Sequence, residues 1–223
     1  KGKDIIIQLA DTTSGAGKTI ATPHIHVTDN AIMNSLLLRA AFENNVKHFI
    51  FPSSGTVYPS SDIPQKETDK IEINPVYYGS ANTKLYIEKM CDFFSKQGVT
   101  KYTVLRQSNI YGPYDKFDLE RSHVFGATLT KVMKAQEGET INVWGTGEEK
   151  RDFLYVSDLV KLIETVIDKQ SSPFELFNVG YSMMISVGEL VKKIIKSSGK
   201  KLKIEYDTSK PTIKTNIALD STK

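Results

Sequence analysis

The order of residues predicts an α/β protein built on a doubly wound parallel sheet, and three observations lead there. Short apolar, largely β-branched or aromatic runs recur at residues 5–10 (Ile-Ile-Ile-Gln-Leu-Ala), 48–51 (His-Phe-Ile-Phe) and 102–106 (Tyr-Thr-Val-Leu-Arg). Stretches of helical period separate them, giving β-loop-α-β-loop-α-β, the pattern of parallel strands joined by right-handed crossovers. The chain has 223 residues, 39% apolar and 25% charged, which is ordinary globular usage and enough for one large core or a core plus a small lobe.

Taken in order, residues 5–10 read as a buried parallel strand, although no earlier residues supply a neighbour on its outer side. The next stretch, residues 11–19, imitates a phosphate-binding loop around Gly17 and Lys18. The pattern requires a glycine where Thr12 stands, and a following helix that Thr19, Thr22 and Pro23 oppose. Magnesium-dependent ATP binding at Lys18 is therefore not expected. His24 and His26 would need further ligands nearby to hold a metal, and none is evident. Thr28 or Asp29 looks like the N-cap of a helix carrying Ile32, Leu36, Leu37, Ala40, Ala41 and Phe42, ended by Asn44-Asn45.

A second helix starts near Tyr77-Tyr78, with Leu85, Met90, Phe93 and Phe94 as its apolar stripe and Gly98 as a left-handed C-cap. Beyond Arg106 come a polar strand exit to Pro113, a charged loop and a helix over about 122–135. Strands at 140–144, 151–156, 174–179 and 203–206 alternate there with helices at about 157–167, capped by Ser157 or Asp158, and 187–198.

Composition narrows the function classes. Lys and Arg number 29 against 26 Asp and Glu, a formal charge of +3 spread without a basic block, so nucleic acid is not the expected partner. Cys91 is the single cysteine, read as a small buried apolar residue, and no disulfide can form within the chain. No apolar run approaches the roughly 18 residues of a membrane span, and no signal-peptide pattern opens the sequence; the default expectation is cytoplasmic.

The residues that suggest chemistry stand where a strand leaves the sheet. In Phe51-Pro52-Ser53-Ser54 a buried strand runs out into hydroxyls, at the carboxyl edge where open α/β sheets bind ligands. Lys84, near the start of the following helix, could pair with such a serine to grip a carbonyl or alcohol; the competing reading is a surface lysine lying over the core.

These motifs together resemble one family. Phe51-Pro52-Ser53-Ser54 with Val57-Tyr58-Pro59, Thr83-Lys84 with Glu88, and Asn109-Ile110-Tyr111-Gly112-Pro113 are joined by Ser122-His123-Val124, Trp144-Gly145-Thr146-Gly147 with Arg151-Asp152, and Phe177-Asn178-Val179-Gly180. The chain is similar, almost end to end, to the extended short-chain dehydrogenase/reductases that act on nucleotide sugars as epimerases, reductases and dehydratases. The GDP-L-fucose synthases are the nearest likeness.

The resemblance implies a Rossmann-type domain at 1–113, partial at its N-terminal side. It also implies a mainly substrate-binding lobe at 114–223, with 148–180 partly returning to the sheet. It implies NAD or NADP as cofactor, a nucleotide sugar (an NDP- or GDP-hexose or deoxyhexose) as substrate, and a homodimer through the Lys84 helix and the helix before it. By position, Ser54 matches the serine on the sugar's reacting oxygen, and Lys84 the lysine that holds the nicotinamide ribose. His123 matches the acid that protonates the sugar carbon in epimerisation. Pro52, Ser53, Gln107, Asn109 and Ile110 match cofactor-lining positions. Lys131, Trp144 and Arg151 match contacts to the diphosphate and nucleoside, Lys131 standing where the family has an arginine.

Three departures qualify the likeness. The family's catalytic tyrosine lies one helical turn before the lysine, where this chain has Ser80; Tyr77 or Tyr78 would have to reach the site instead. Its second acid, a cysteine, falls on Thr56. The Gly-rich pyrophosphate turn is also not found, so the likeness begins about sixty residues into the family, at ~30 residues per βαβ unit. A piece of a longer chain is the expectation, and NAD against NADP is undecided. The leading function is a nucleotide-sugar epimerase/reductase; the alternative is a catalytically impaired dinucleotide- or nucleotide-sugar-binding protein of the same fold.

Overall fold

The computed structural model describes residues 2–13, 20–119 and 121–223. Gly15, Gly17 and Lys18 of the P-loop-like stretch lie outside them. Four parallel strands form the main sheet: β1 (Ile5–Ile7), β2 (His48–Ser54), β3 (Lys101–Gln107) and β7 (Phe174–Val179), in the order β1-β2-β3-β7. Helices α1 (Ile25–Glu43) and α2 (Tyr78–Ser95) cover one face, and α4 (Val156–Lys169) covers the other.

The period of two along β2 explains this double winding. Phe49 and Phe51 pack with Leu38 of α1 and Ile87 and Cys91 of α2, while Ile50 points the other way, with Leu105, Leu159 and Ile163. Each such fully buried side chain contributes roughly 1.5–3 kcal/mol of apolar transfer energy, which drives the two faces closed.

Between β3 and β7 the chain makes β4 (Asn109–Tyr111), α3 (Val124–Lys134), β5 (Thr140–Trp144) and β6 (Lys150–Tyr155). After β7 come β8 (Met184–Ser186), α5 (Val187–Ser198) and β9 (Lys203–Asp207). Strand β6 pairs with β4 and β8, and β5 pairs parallel with β9. Val132, Ile141, Val143, Val187, Leu190, Val191 and Ile194 form a separate apolar cluster between α3, α5 and the β5–β9 pair. Asp152, fully buried on β6, ties this region to the end of β7. Its carboxylate accepts from the Tyr181, Ser182 and Leu219 N–H groups at 2.9, 3.3 and 3.2 Å. Gly180 has to be glycine there, because a Cβ would stand 2.5 Å from Asp152 Oδ2.

Several local expectations are corrected. The first strand is shorter than residues 5–10 and lies at a sheet edge with Ile5 and Ile7 about two-fifths exposed, not buried. Helix α1 starts before Thr28, at Ile25, following Pro23, a residue that fits a helix start because its missing N–H has no helical partner to lose. Its buried residues are His26, Asn30, Asn34, Leu38 and Ala41, whereas Ile32 and Leu36 are 59% and 62% exposed. On α2 Leu85, Met90 and Phe94 of the expected stripe pack partly buried against the core, but Phe93 faces out and the buried residues are Ala81, Thr83, Ile87, Glu88, Cys91 and Ser95. Gly98 has no left-handed φ; α2 ends at Ser95, with Lys96 still in the right-handed region. Helix α4 begins directly after β6 without a side-chain cap, placing Ser157 and Asp158 inside its first turn. The three-residue β8 was too short for its alternation to be read.

Candidate active site

The segment leaving β1 and the carboxyl half of β2 meet at Lys84. Its ammonium donates to Asp11 Oδ2 at 2.7 Å and to the Pro52 carbonyl at 3.3 Å, and lies 5.0 Å from the centre of the Phe51 ring. The side chain is only 14% exposed, so it is not a lysine spread over the surface. It reaches the strand end because α2 packs its Ile87 and Cys91 against β2, which turns the same helix's first turns toward Pro52.

Ser54, two residues beyond Pro52, accepts from the Thr56 backbone N–H at 3.2 Å and from the Thr56 hydroxyl at 3.0 Å. Thr56 thus orients the serine, with its own hydroxyl proton committed to that bond. Ser54 lies level with Gln107 in the β2–β3 register, and Gln107 Oε1 is buried with no hydrogen-bond partner among the described residues. An unpaired acceptor at a strand end costs about 1–3 kcal/mol unless a ligand or water meets it, which fits a polar group such as a dinucleotide amide or hydroxyl here. Asn109 donates to the Asp152 carbonyl at 3.0 Å, and Ile110 packs into the cluster under α4.

Beneath this edge lies a polar network that the sequence did not disclose. Ser53 donates to Glu88 Oε1 at 2.5 Å, and Glu88 holds Arg106 through Nη2 at 2.7 Å and Nε at 3.1 Å. Arg106 Nη1 donates to the Tyr58 hydroxyl at 2.8 Å, which donates to Asn178 Oδ1 at 2.9 Å. Burial works against the Arg106 charge, but the hydrogen bond and charge of Glu88 outweigh it and raise its pKa. Burial raises the Tyr58 pKa as well, against the pull of Arg106, so the phenol stays protonated. The readable signal was Arg106 itself, a charge ending an apolar strand, which has to find a buried partner.

Among the described residues no tyrosine hydrogen-bonds to Lys84. The Ser80 hydroxyl donates to the Tyr77 carbonyl at 3.3 Å, Tyr77 packs against the Val57–Tyr58 cluster, and Tyr78 is 69% exposed. Among the described residues no group of three His, Cys, Asp or Glu side chains is placed to hold a metal ion, and His26 Nδ1 donates to the Thr12 carbonyl at 2.8 Å.

The remaining candidates fall in two further places. His123 precedes α3 as its N-cap residue, exposed on its solvent side, with no bond to the Ser54–Lys84 group among the described residues. Crowding by the surrounding atoms lowers its pKa, Asp115 pulling up and Lys116 down. Lys131 and Trp144 come together: the Lys131 ammonium donates to the Asn142 carbonyl at 2.7 Å and lies 6.0 Å from the centre of the indole, which is 44% exposed. Gly145 makes the turn after the indole at φ +80°, where a Cβ would stand 2.5 Å from Thr212 Cγ2. Arg151 uses its guanidinium on the carbonyls of Lys150, Ile213 and Thr215, at 2.6–2.7 Å.

Comparison with known proteins bears on this arrangement. A family model described as the NAD dependent epimerase/dehydratase family matches residues 1–180. GDP-L-colitose synthase of Yersinia pseudotuberculosis is 30% identical over 98% of this chain and 73% of its own length. GDP-L-fucose synthase of Azorhizobium caulinodans is 30% identical over 93% of this chain and 68% of its own. UDP-glucose 4-epimerase of Thermotoga maritima, solved with UDP-glucose, superposes with a TM-score of 0.84 at 25% identity, covering 98% of this chain and 69% of that one.

Proposed function

Since the chain belongs to the NAD-dependent epimerase/dehydratase family, we propose that it serves as an NAD(P)-dependent epimerase/reductase of a nucleoside-diphosphate sugar, with GDP as the carrier. The observation that carries the reading is Lys84, held on Asp11 and on the Pro52 carbonyl two residues before Ser54. The two GDP-sugar synthases, both 30% identical, support the choice of carrier.

The nicotinamide, when bound, gives or takes the hydride at a sugar carbon. Around it, Lys84 holds the adjoining ribose and lays positive charge beside the reacting oxygen, which favours its anionic form. Ser54, oriented by Thr56, hydrogen-bonds that oxygen. The backbones of Pro52, Ser53, Gln107, Asn109 and Ile110 would line the dinucleotide. His123 moves a proton at the neighbouring carbon as acid or base, with desolvation lowering its pKa. Lys131 and Arg151 face the diphosphate, Arg151 by exchanging backbone carbonyls for phosphate oxygens, and Trp144 packs on the nucleoside.

A homodimer is part of the same proposal. Ile32 and Leu36 on α1, with Tyr86 and Phe93 on α2, leave large apolar side chains in water on the paired helices, each more than half exposed. The chain contains no helix, among the described residues, long and apolar enough to cross a membrane.

The test is turnover of GDP-hexoses with NAD(H) and NADP(H) by the full-length protein. Lys84→Ala and His123→Ala are each expected to lower kcat by roughly 100-fold or more; unchanged rates in both would overturn the proposal. Ser80 is the observation favouring the impaired-site alternative. Low wild-type turnover that rises in Ser80→Tyr would support that alternative, and high wild-type turnover would remove it.

A further inference from the structure

Asp11 has no role in the site described so far, yet its surroundings are elaborate. It follows β1 where the chain leaves the sheet, and its Oδ2 receives the Lys84 ammonium at 2.7 Å, with the carboxylate side chain 30% exposed. The segment that presents it is pinned on both sides by the polar inner face of α1. Gln8 donates to the Ala10 carbonyl and to Asn34 Oδ1, both at 3.2 Å. Asn30 accepts from the Thr12 N–H at 2.8 Å and donates to its carbonyl at 3.1 Å, which His26 also reaches. Helix α1 therefore buries His26, Asn30 and Asn34, where apolar residues would pack better, and in return fixes the backbone on either side of Asp11.

With Lys84 14% and Asp11 30% exposed, the pair loses much of its Coulomb gain to desolvation and adds little net stability. Such an investment of buried polar groups accounts for a carboxylate held at one place more readily than for an ion pair kept for its own strength. Resting on the proposal above that Lys84 holds the nicotinamide-side ribose, we infer that Asp11 completes a donor–acceptor clamp for that ribose's diol. An ammonium can only donate and a carboxylate can only accept, whereas each ribose hydroxyl needs both an acceptor for its proton and a donor for its oxygen. Lys84 donates to one hydroxyl oxygen and Asp11 accepts the O–H of its neighbour, a use of carboxylates known from ribose recognition at other edges of such sheets. Without ligand, the two groups satisfy each other across 2.7 Å.

Calorimetric titration of the full-length protein tests the clamp, with NADH or NADPH as probe and ADP, which lacks the nicotinamide ribose, as control. Asp11→Ala is expected to weaken dinucleotide binding roughly 10-fold and to leave ADP binding unchanged. Asp11→Asn, the isosteric variant should the alanine protein fail to fold, is expected to weaken it less. Equal or tighter dinucleotide binding by both variants would make Asp11 only the counter-ion of Lys84 and overturn the clamp, as would a parallel loss of ADP. A wild-type protein that binds neither dinucleotide would instead overturn the reading on which the clamp rests.

Discussion

His48 illustrates what one buried residue sets. It opens β2 at 2% exposure, and its Nε2 donates at 2.7 Å to Thr103, whose hydroxyl proton goes to Gln170. Burial lowers its pKa from 6.5 to about 4, helped by the charge of Lys101 and opposed by Gln170. A histidine that is harder to protonate when folded gives stability that is complete above about pH 6.5 and is lost as pH falls toward 4. Over that window the loss is about 3 kcal/mol, and His48→Gln is expected to flatten that part of a denaturant-midpoint-against-pH curve. An unaltered slope in the variant would show that other groups carry the acid sensitivity. The same scale shows what a sequence leaves hidden. Lys84 was legible because it sits near a strand exit, but its partner Asp11 lies 73 positions away. The Glu88–Arg106 pair was hidden for the same reason, since tertiary distance and not local pattern decides it.

At the level of elements, periodicity located the strands and helices well and their faces less well. On α2 the large residues Leu85, Met90 and Phe94 pack partly buried, while Ala81, Thr83 and Glu88 are buried because a sheet packs closely against small residues and because Arg106 needs its counter-ion. The first half of the inward face of α1 is polar since His26 and Asn30 satisfy the backbone of Thr12, a demand no hydrophobicity pattern can express. Where the chain carries explicit signals, they are obeyed. Ser186 accepts from the Glu189 N–H at 3.1 Å while Glu189 reaches back to the Ser186 N–H at 2.9 Å, a capping box, and Gly199 ends α5 at φ +73°. Ser186→Ala is expected to destabilise the protein by about 1 kcal/mol, read as a lower denaturation midpoint with unchanged m-value. No shift would mean that the apolar face of α5 alone determines its start.

For the whole molecule, the order β1-β2-β3-β7 sets Ser54 and Gln107 level at the ends of neighbouring strands, with Lys84 of α2 reaching the Pro52 carbonyl, while α3, β5 and β6 carry Lys131, Trp144 and Arg151. The exposed faces of α1 and α2 lie on a different side, formed by helices that pack on the sheet's face, so association there leaves the edge open. Leu36→Asp is therefore expected to yield monomers in sedimentation velocity at concentrations where the wild type is dimeric. A monomeric wild type would remove the dimer from the proposal without touching the site. The central claim is that the Ser54–Lys84 edge receives a nicotinamide dinucleotide in the service of a nucleotide sugar. Its most direct test is titration of the full-length protein with NADH and NADPH, alone and with a GDP-hexose present. Saturable binding of at least one dinucleotide, strengthened by the GDP-sugar and lost in Lys84→Ala, is the expected result; binding of neither, with or without the sugar nucleotide, would contradict it.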